Sequence, residues 1–205
     1  MRIHNRVNHV FASVGLAIAL SSAAPLYAME IDGVKLDDTV RVGDQELKLN
    51  GAGLHYKWFV KVYVMGLYLA DARASEAGVI DITGAKRISL VLRRTVGSDT
   101  FSNAFLQSIK ADTDKAELRT MVDQMLATGR AFGTIQEVSK GDVFSIDWVP
   151  NRGTQYVLNG KPISDFIPGA GFYNALLKIW IGPTTPDVAL KKRLLGLPEN
   201  VDSPH

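Results

Sequence analysis

The sequence predicts an α+β domain whose sheet is covered on both faces. Residues 51–70, GAGLHYKWFVKVYVMGLYLA, form the longest β-branched and aromatic stretch in the chain. From 58 to 69 apolar residues fall on both alternations, the pattern of a strand with no wet face. Helical spacing appears elsewhere, with Phe101, Phe105, Ser108 and Ile109 on one stripe. Two hairpin signals, Gly43-Asp44 and Asn159-Gly160, join runs that alternate with period two.

In chain order, Arg2, His4, Arg6 and His9 precede an apolar run at 10–20, followed by SSAAPLYA. A basic start, an apolar middle too short to span a bilayer and a small-residue end read as a secretory signal. The expected cut follows Ala28, giving a signal at 1–28, a single domain at 29–205 and a periplasmic protein without a stable membrane span. An uncleaved N-terminal anchor is the alternative.

The full chain of 205 residues carries 23 Lys+Arg against 21 Asp+Glu. Residues 1–28 hold two arginines and no acid, so the exported part has 21 of each and is neutral. Neutrality argues against nucleic acid as a partner. The chain has no cysteine, which excludes disulfides, thiolate chemistry and lipoprotein acylation.

Strands are expected at 39–42 and 46–49. Asn50-Gly51-Ala52-Gly53 is expected as a tight turn that leads into the strand 58–69. Lys61 interrupts that strand and is expected to reach solvent at an edge. A short helix at 75–80, a strand at 86–96 and a helix capped by Ser98 or Asp99 follow. Asp114 and Glu117 form a capping box for the next helix. Its stripe of Leu118, Met121, Val122, Met125 and Leu126 reads as core, and Gly129 ends it. Strands at 142–149, 154–158 and 161–163 precede an amphipathic helix at 169–181. Thr185-Pro186 is expected to cap the final helix, which Gly196 and Pro198 stop.

No motif points to a cofactor. The glycines at 51 and 53 lead into a strand, whereas a dinucleotide fingerprint leads into a helix and has a fuller spacing. With cysteine absent and His205 in the tail, His55 is the interior histidine, too few ligands for zinc or iron. No GxSxG elbow accompanies it. Neither metal nor cofactor is expected.

Three pieces, GAGLHYKWFVKVYVMGLYL, RISLVLRRTVGSDTFSNAF and FYNALLKIWIGPTTPDVALKKRLLG, resemble the chalcone isomerase superfamily in order and coverage. The likeness is to its secreted bacterial chalcone isomerase-like branch. It implies an open-faced β-sandwich, with a large antiparallel sheet and a layer of helices on one face. The superfamily holds plant enzymes that close a chalcone to a flavanone, and relatives that bind fatty acids without catalysis. In the enzymes an arginine soon after the glycines stabilises a phenolate. Here no arginine lies between Gly51 and Ala70, and His55 or Gly51 takes its place. The resemblance puts Tyr63 where the enzymes carry a threonine, Phe101 where they carry a tyrosine and Ser108 where they carry an asparagine. A late threonine or serine falls near Tyr173.

The leading expectation is therefore a non-catalytic binder of a small amphipathic ligand such as a fatty acid. Its lining would be His55, Trp58, Tyr63, Phe101, Phe105, Ser108 and Tyr173, because binding pockets combine apolar walls with a few polar groups. The alternative is an isomerase or intramolecular lyase on a phenolic or enone substrate, with His55, Tyr63, Ser108 and Tyr173 as catalytic candidates. A third reading is an envelope interaction protein that presents Trp180 and Lys191-Lys192-Arg193 to a protein partner.

Overall fold

The structure, a computed structural model, describes residues 27–198 apart from Asp112. The expected signal at 1–28 lies outside the described residues, save for the backbone of Tyr27 and Ala28.

A hairpin of β1 (Tyr27–Ile31) and β2 (Val34–Asp37) comes first. It turns at Asp32-Gly33, where both residues have positive φ, the geometry of a type I′ turn. The sequence reading missed this hairpin. The main sheet begins with β3 (Thr39–Val42), β4 (Gln45–Lys57) and β5 (Val60–Leu69), and α1 (Glu76–Ile80) follows. Next are β6 (Lys86–Leu92), the short β7 (Val96–Gly97), α2 (Ser98–Ala111), α3 (Lys115–Thr120) and α4 (Val122–Phe132). β8 (Glu137–Val138) pairs with β7. The chain closes with β9 (Val143–Val149), β10 (Gly153–Leu158), β11 (Lys161–Pro162), α5 (Ala170–Ile181) and α6 (Val188–Leu194).

Seven strands make one antiparallel sheet in the order β11-β10-β9-β6-β5-β4-β3. Strand alternation assigns its faces. Met65, Leu67 and Leu69 of β5 join Ile88, Leu90, Phe144 and Ile146 in a core shared with the helices. On the opposite alternation, Val64 packs with Val34 and Leu36 of the first hairpin, and Tyr68 packs with Val42, Leu47 and Ala85. Both faces of β5 are therefore covered, as its double alternation requires.

Several local expectations need correction. The glycines at 51 and 53 make no turn: β4 runs through them, and the chain reverses later, at Trp58-Phe59. The strand expected from 58 accordingly starts at Val60. Both glycines are strand residues required for clearance, because a Cβ at Gly51 would run into the Arg193 carbonyl and one at Gly53 would lie 2.7 Å from Leu190 Cδ1. Helix α6 lies directly on this part of β4. Asn50 marks a bulge in the ladder with β5. Its Nδ2 donates to the carbonyls of Leu194 (2.7 Å) and Arg73 (3.0 Å), and its Oδ1 accepts from Arg73 N (2.7 Å).

The single helix expected after Asp114 is two helices broken at Met121, and it continues past Gly129 to Phe132. Asp114 caps it as expected, accepting from Ala116 N and Glu117 N. The stripe is only partly core: Met121 is buried, while Val122 and Leu126 are exposed. Burial passes to Thr128, Ala131 and Phe132. Asp187, not Thr185, caps α6. Lys61 does reach the edge, where its Nζ lies 2.6 Å from Asp32 Oδ1.

A cleft beside the His55–Asp187 pair as candidate functional site

His55 near the end of β4 faces Tyr63 of β5 across the ladder, and their rings stack at 4.8 Å. His55 Nδ1 lies 2.8 Å from Asp187 Oδ2. Asp187 divides its carboxylate between two tasks, since Oδ1 accepts from Leu190 N at 3.0 Å and caps α6. A donating Nδ1–H leaves Nε2 as the ring nitrogen able to meet a ligand. On the other side of the stack, Trp180 Nε1 of α5 donates to the Tyr63 hydroxyl at 2.8 Å. Burial pushes the Tyr63 phenol well above its ordinary pKa, so it stays neutral at any physiological pH.

The helical stripe of α2 supplies the facing wall. Phe101 stands edge-on to Phe132 and Phe144, with centroids 5.4 and 5.2 Å away. Phe105 meets Trp180 at 6.3 Å. Ser108 donates its hydroxyl back to the Ala104 carbonyl at 3.0 Å, a bond within the helix that takes the proton away from the cleft. Together these residues enclose a cleft of about 480 Å³ that also takes in Trp58, Leu90, Ala104, Ile179 and Pro186. Trp58 stands at its mouth on the hairpin tip.

Six of the seven residues expected from the sequence thus surround one cleft. Tyr173 does not. It lies two turns before Trp180 on α5, so about 10 Å back along the axis. There it is fully buried against Trp148, with its hydroxyl 3.3 Å from the Ile146 carbonyl. It is a core residue of the helix–sheet interface, and its place among the candidates is withdrawn.

The sequence reading missed Asp187 and left Trp180 between surface and core; Trp180 is 5% exposed and lines the cleft. The signal for Asp187 was present in Thr-Pro-Asp before a helix, but Thr185 and Pro186 satisfied the same capping pattern. Three other depressions are larger. One of about 740 Å³ lies between Met29, the strand glycines and Leu197; one of about 590 Å³ lies between the end of α2 and α3–α4; one of about 560 Å³ lies between α4 and Ile163–Pro168 of the chain. The cleft at His55 is distinguished by its aromatic walls and by the His55–Asp187 hydrogen bond at its rim. Among the described residues no group of three or more His, Cys, Asp or Glu is placed to hold a metal. No helix among them is long and apolar enough to cross a membrane.

A model of the chalcone isomerase-like family matches residues 28–196. The chain belongs to that family. Among solved structures it is similar to a fatty-acid binding protein of Arabidopsis thaliana, at 15% identity and a TM-score of 0.62. The alignment covers 80% of this chain and 92% of that one. The likeness shows the fold: a large antiparallel sheet with helices against one face. No curated protein matches the chain. In this chalcone isomerase-like chain the cleft presents His55 where the resemblance placed the arginine of the enzymes, and Phe101 where it placed a tyrosine hydroxyl.

Proposed function

We propose that this chain is a periplasmic, non-catalytic binder of a small amphipathic acid such as a fatty acid, within the secreted bacterial branch of its family. The observation that carries the reading is the state of the cleft's polar groups. Tyr63 is neutral and engaged by Trp180, Ser108 is engaged by its own helix, and Phe101 has no hydroxyl. What remains is an aromatic trough with one imidazole at its rim, 24% exposed at the side chain. That arrangement suits a hydrocarbon against Phe101, Phe105 and Trp180 and an acid headgroup at His55, where Nε2 accepts from a protonated carboxyl or, in the imidazolium form, donates to a carboxylate. A cleft of about 480 Å³ is within the usual size range for a small-molecule site. The similar fold of the Arabidopsis fatty-acid binding protein supports a fatty acid as the ligand class. The pattern of residues 1–28 supports export.

Native mass spectrometry of protein purified from the periplasm, with thermal shift by long-chain acids, tests the reading. A bound acid and a raised Tm are expected. Ala104→Trp, which fills the cleft from an exposed helix position, should abolish the shift. Repeated absence of both signals in the unaltered protein would refute the proposal.

One observation favours a second reading, an isomerase: a histidine oriented by a carboxylate is a competent general base. A chalcone panel followed by absorbance decides between them, and a rate equal to buffer disposes of the classical cyclisation.

A further inference from the structure

Among the described residues, Trp58 and Phe59 are the most exposed large hydrophobic side chains, at 86% and 96%. They sit side by side at the β4–β5 turn, with Tyr56 and Val60 about half exposed beside them. Trp58 takes a positive φ of 61° there, an unusual conformation for a bulky residue. The tip also projects. The last β6 residue in the ladder, Leu92, pairs with Tyr63, so the turn reaches about 10 Å beyond the neighbouring strand.

Basic side chains frame the tip. Lys57 and Lys61 flank the two aromatics, and Arg93 and Arg94 follow the end of β6. Asp32 lies between Lys61 and Arg93, bonded to both at 2.6 and 2.9 Å. With Asp187, bonded to His55 two residues before Lys57, two carboxylates face four cations, which leaves a positive surplus around an apolar point. Aromatics backed by lysine and arginine fit the boundary of an anionic bilayer, where rings lie at the headgroup level and cations meet phosphates.

We infer that the β4–β5 tip docks this protein on an anionic lipid surface, inserting Trp58 and Phe59 and holding the mouth of the cleft at the lipid boundary. Trp58 belongs to both the tip and the cleft mouth, which makes the tip a route between bilayer and cleft. The route rests on the proposed function; the docking itself does not.

The test uses the purified protein with phosphatidylcholine vesicles, with and without phosphatidylglycerol, and no fatty acid. Co-sedimentation with the phosphatidylglycerol vesicles is expected, with tryptophan emission shifted to the blue and quenched by brominated acyl chains. Trp180 and the partly buried Trp148 stay inside the protein, so quenching reports Trp58. Phe59→Ser should weaken vesicle binding about tenfold, and Lys57→Glu by about fivefold or more. Neither should lower Tm, since both side chains are exposed, and Phe59→Ser, which lies outside the cleft lining, should leave fatty-acid binding in solution unchanged. Absence of vesicle binding would overturn the inference, as would binding that survives Trp58→Ser with Phe59→Ser. So would a tip that fails to bind vesicles but captures a soluble protein, or self-associates, in a way Phe59→Ser abolishes. Because the vesicles carry no added ligand, these results stand whether or not the fatty-acid assay succeeds.

Discussion

His55 and Asp187 are separated by 132 positions in the chain, yet Nδ1 of one lies 2.8 Å from Oδ2 of the other. The pair ties the end of β4 to the first turn of α6, and the same carboxylate caps that helix. Asp187→Ala removes both contacts, and an N-cap alone is worth about 0.5–2 kcal/mol. Urea unfolding should show a loss of ~1–2 kcal/mol for Asp187→Ala and less for Asp187→Asn, which keeps a capping oxygen. Equal losses would mean that the cap contributes nothing.

Gly51 and Gly53 should respond differently to the same added methyl. At Gly51 it meets the backbone carbonyl of Arg193, which can move only with α6. At Gly53 it meets Leu190 Cδ1 at 2.7 Å and Arg193 Cδ at 3.1 Å, both atoms of flexible side chains and not of the backbone. Gly51→Ala should cost ~3 kcal/mol or prevent folding, while Gly53→Ala costs ~1 kcal/mol. Denaturation midpoints of the two variants measure the difference, and the reverse order would contradict this packing.

Tyr63 and the buried Trp180 share one hydrogen bond of 2.8 Å. Tyr63→Phe leaves an indole N–H unsatisfied, at ~1–3 kcal/mol. Trp180→Phe removes more packing and should cost more. The double substitution should cost less than the sum, because each single change already forfeits the shared bond. A double-mutant cycle with no coupling would show that the bond does not contribute.

Lys86 is 2% exposed, its ammonium 3.0 Å from the Ile80 carbonyl. Burial brings its pKa down from 10.5 to about 8. A base with a lowered folded pKa is less welcome charged in the folded state, so below pH 8 its burden on stability is fully present. Between about 8 and 10.5 the unfolded chain holds a proton that the folded chain has released, and stability rises with pH. Lys86→Met should therefore be more stable than the parent at pH 7, by ~1–3 kcal/mol, with the gap closing as pH approaches 10. Paired unfolding curves across that range check it, since other groups titrate alike in both proteins. A gap that widens with pH would give the opposite sign.

Period-two alternation and turn chemistry made most of the sheet legible. Asn159-Gly160, both with positive φ, turns the chain where such a pair must, and Ser75 and Asp114 cap helices because their short oxygens reach free N–H groups. Helical spacing in α2 put Phe101, Phe105 and Ser108 on one stripe, and the packing of that helix turns the stripe toward the cleft. Alternation, turns and helical spacing are short-range regularities, set by backbone geometry within a few residues. Whether Gly51 and Gly53 were a turn or a clearance was decided by α6, some 140 residues later. That helix's approach is invisible to any local pattern. Tertiary packing also sent Tyr173 into the core and Trp180 to the cleft, although both lie on one face of α5. The sequence determined which faces were apolar; the tertiary structure decided which part of each face met the sheet and which met a cavity. Burial depends on where distant elements end, and no residue carries that information alone.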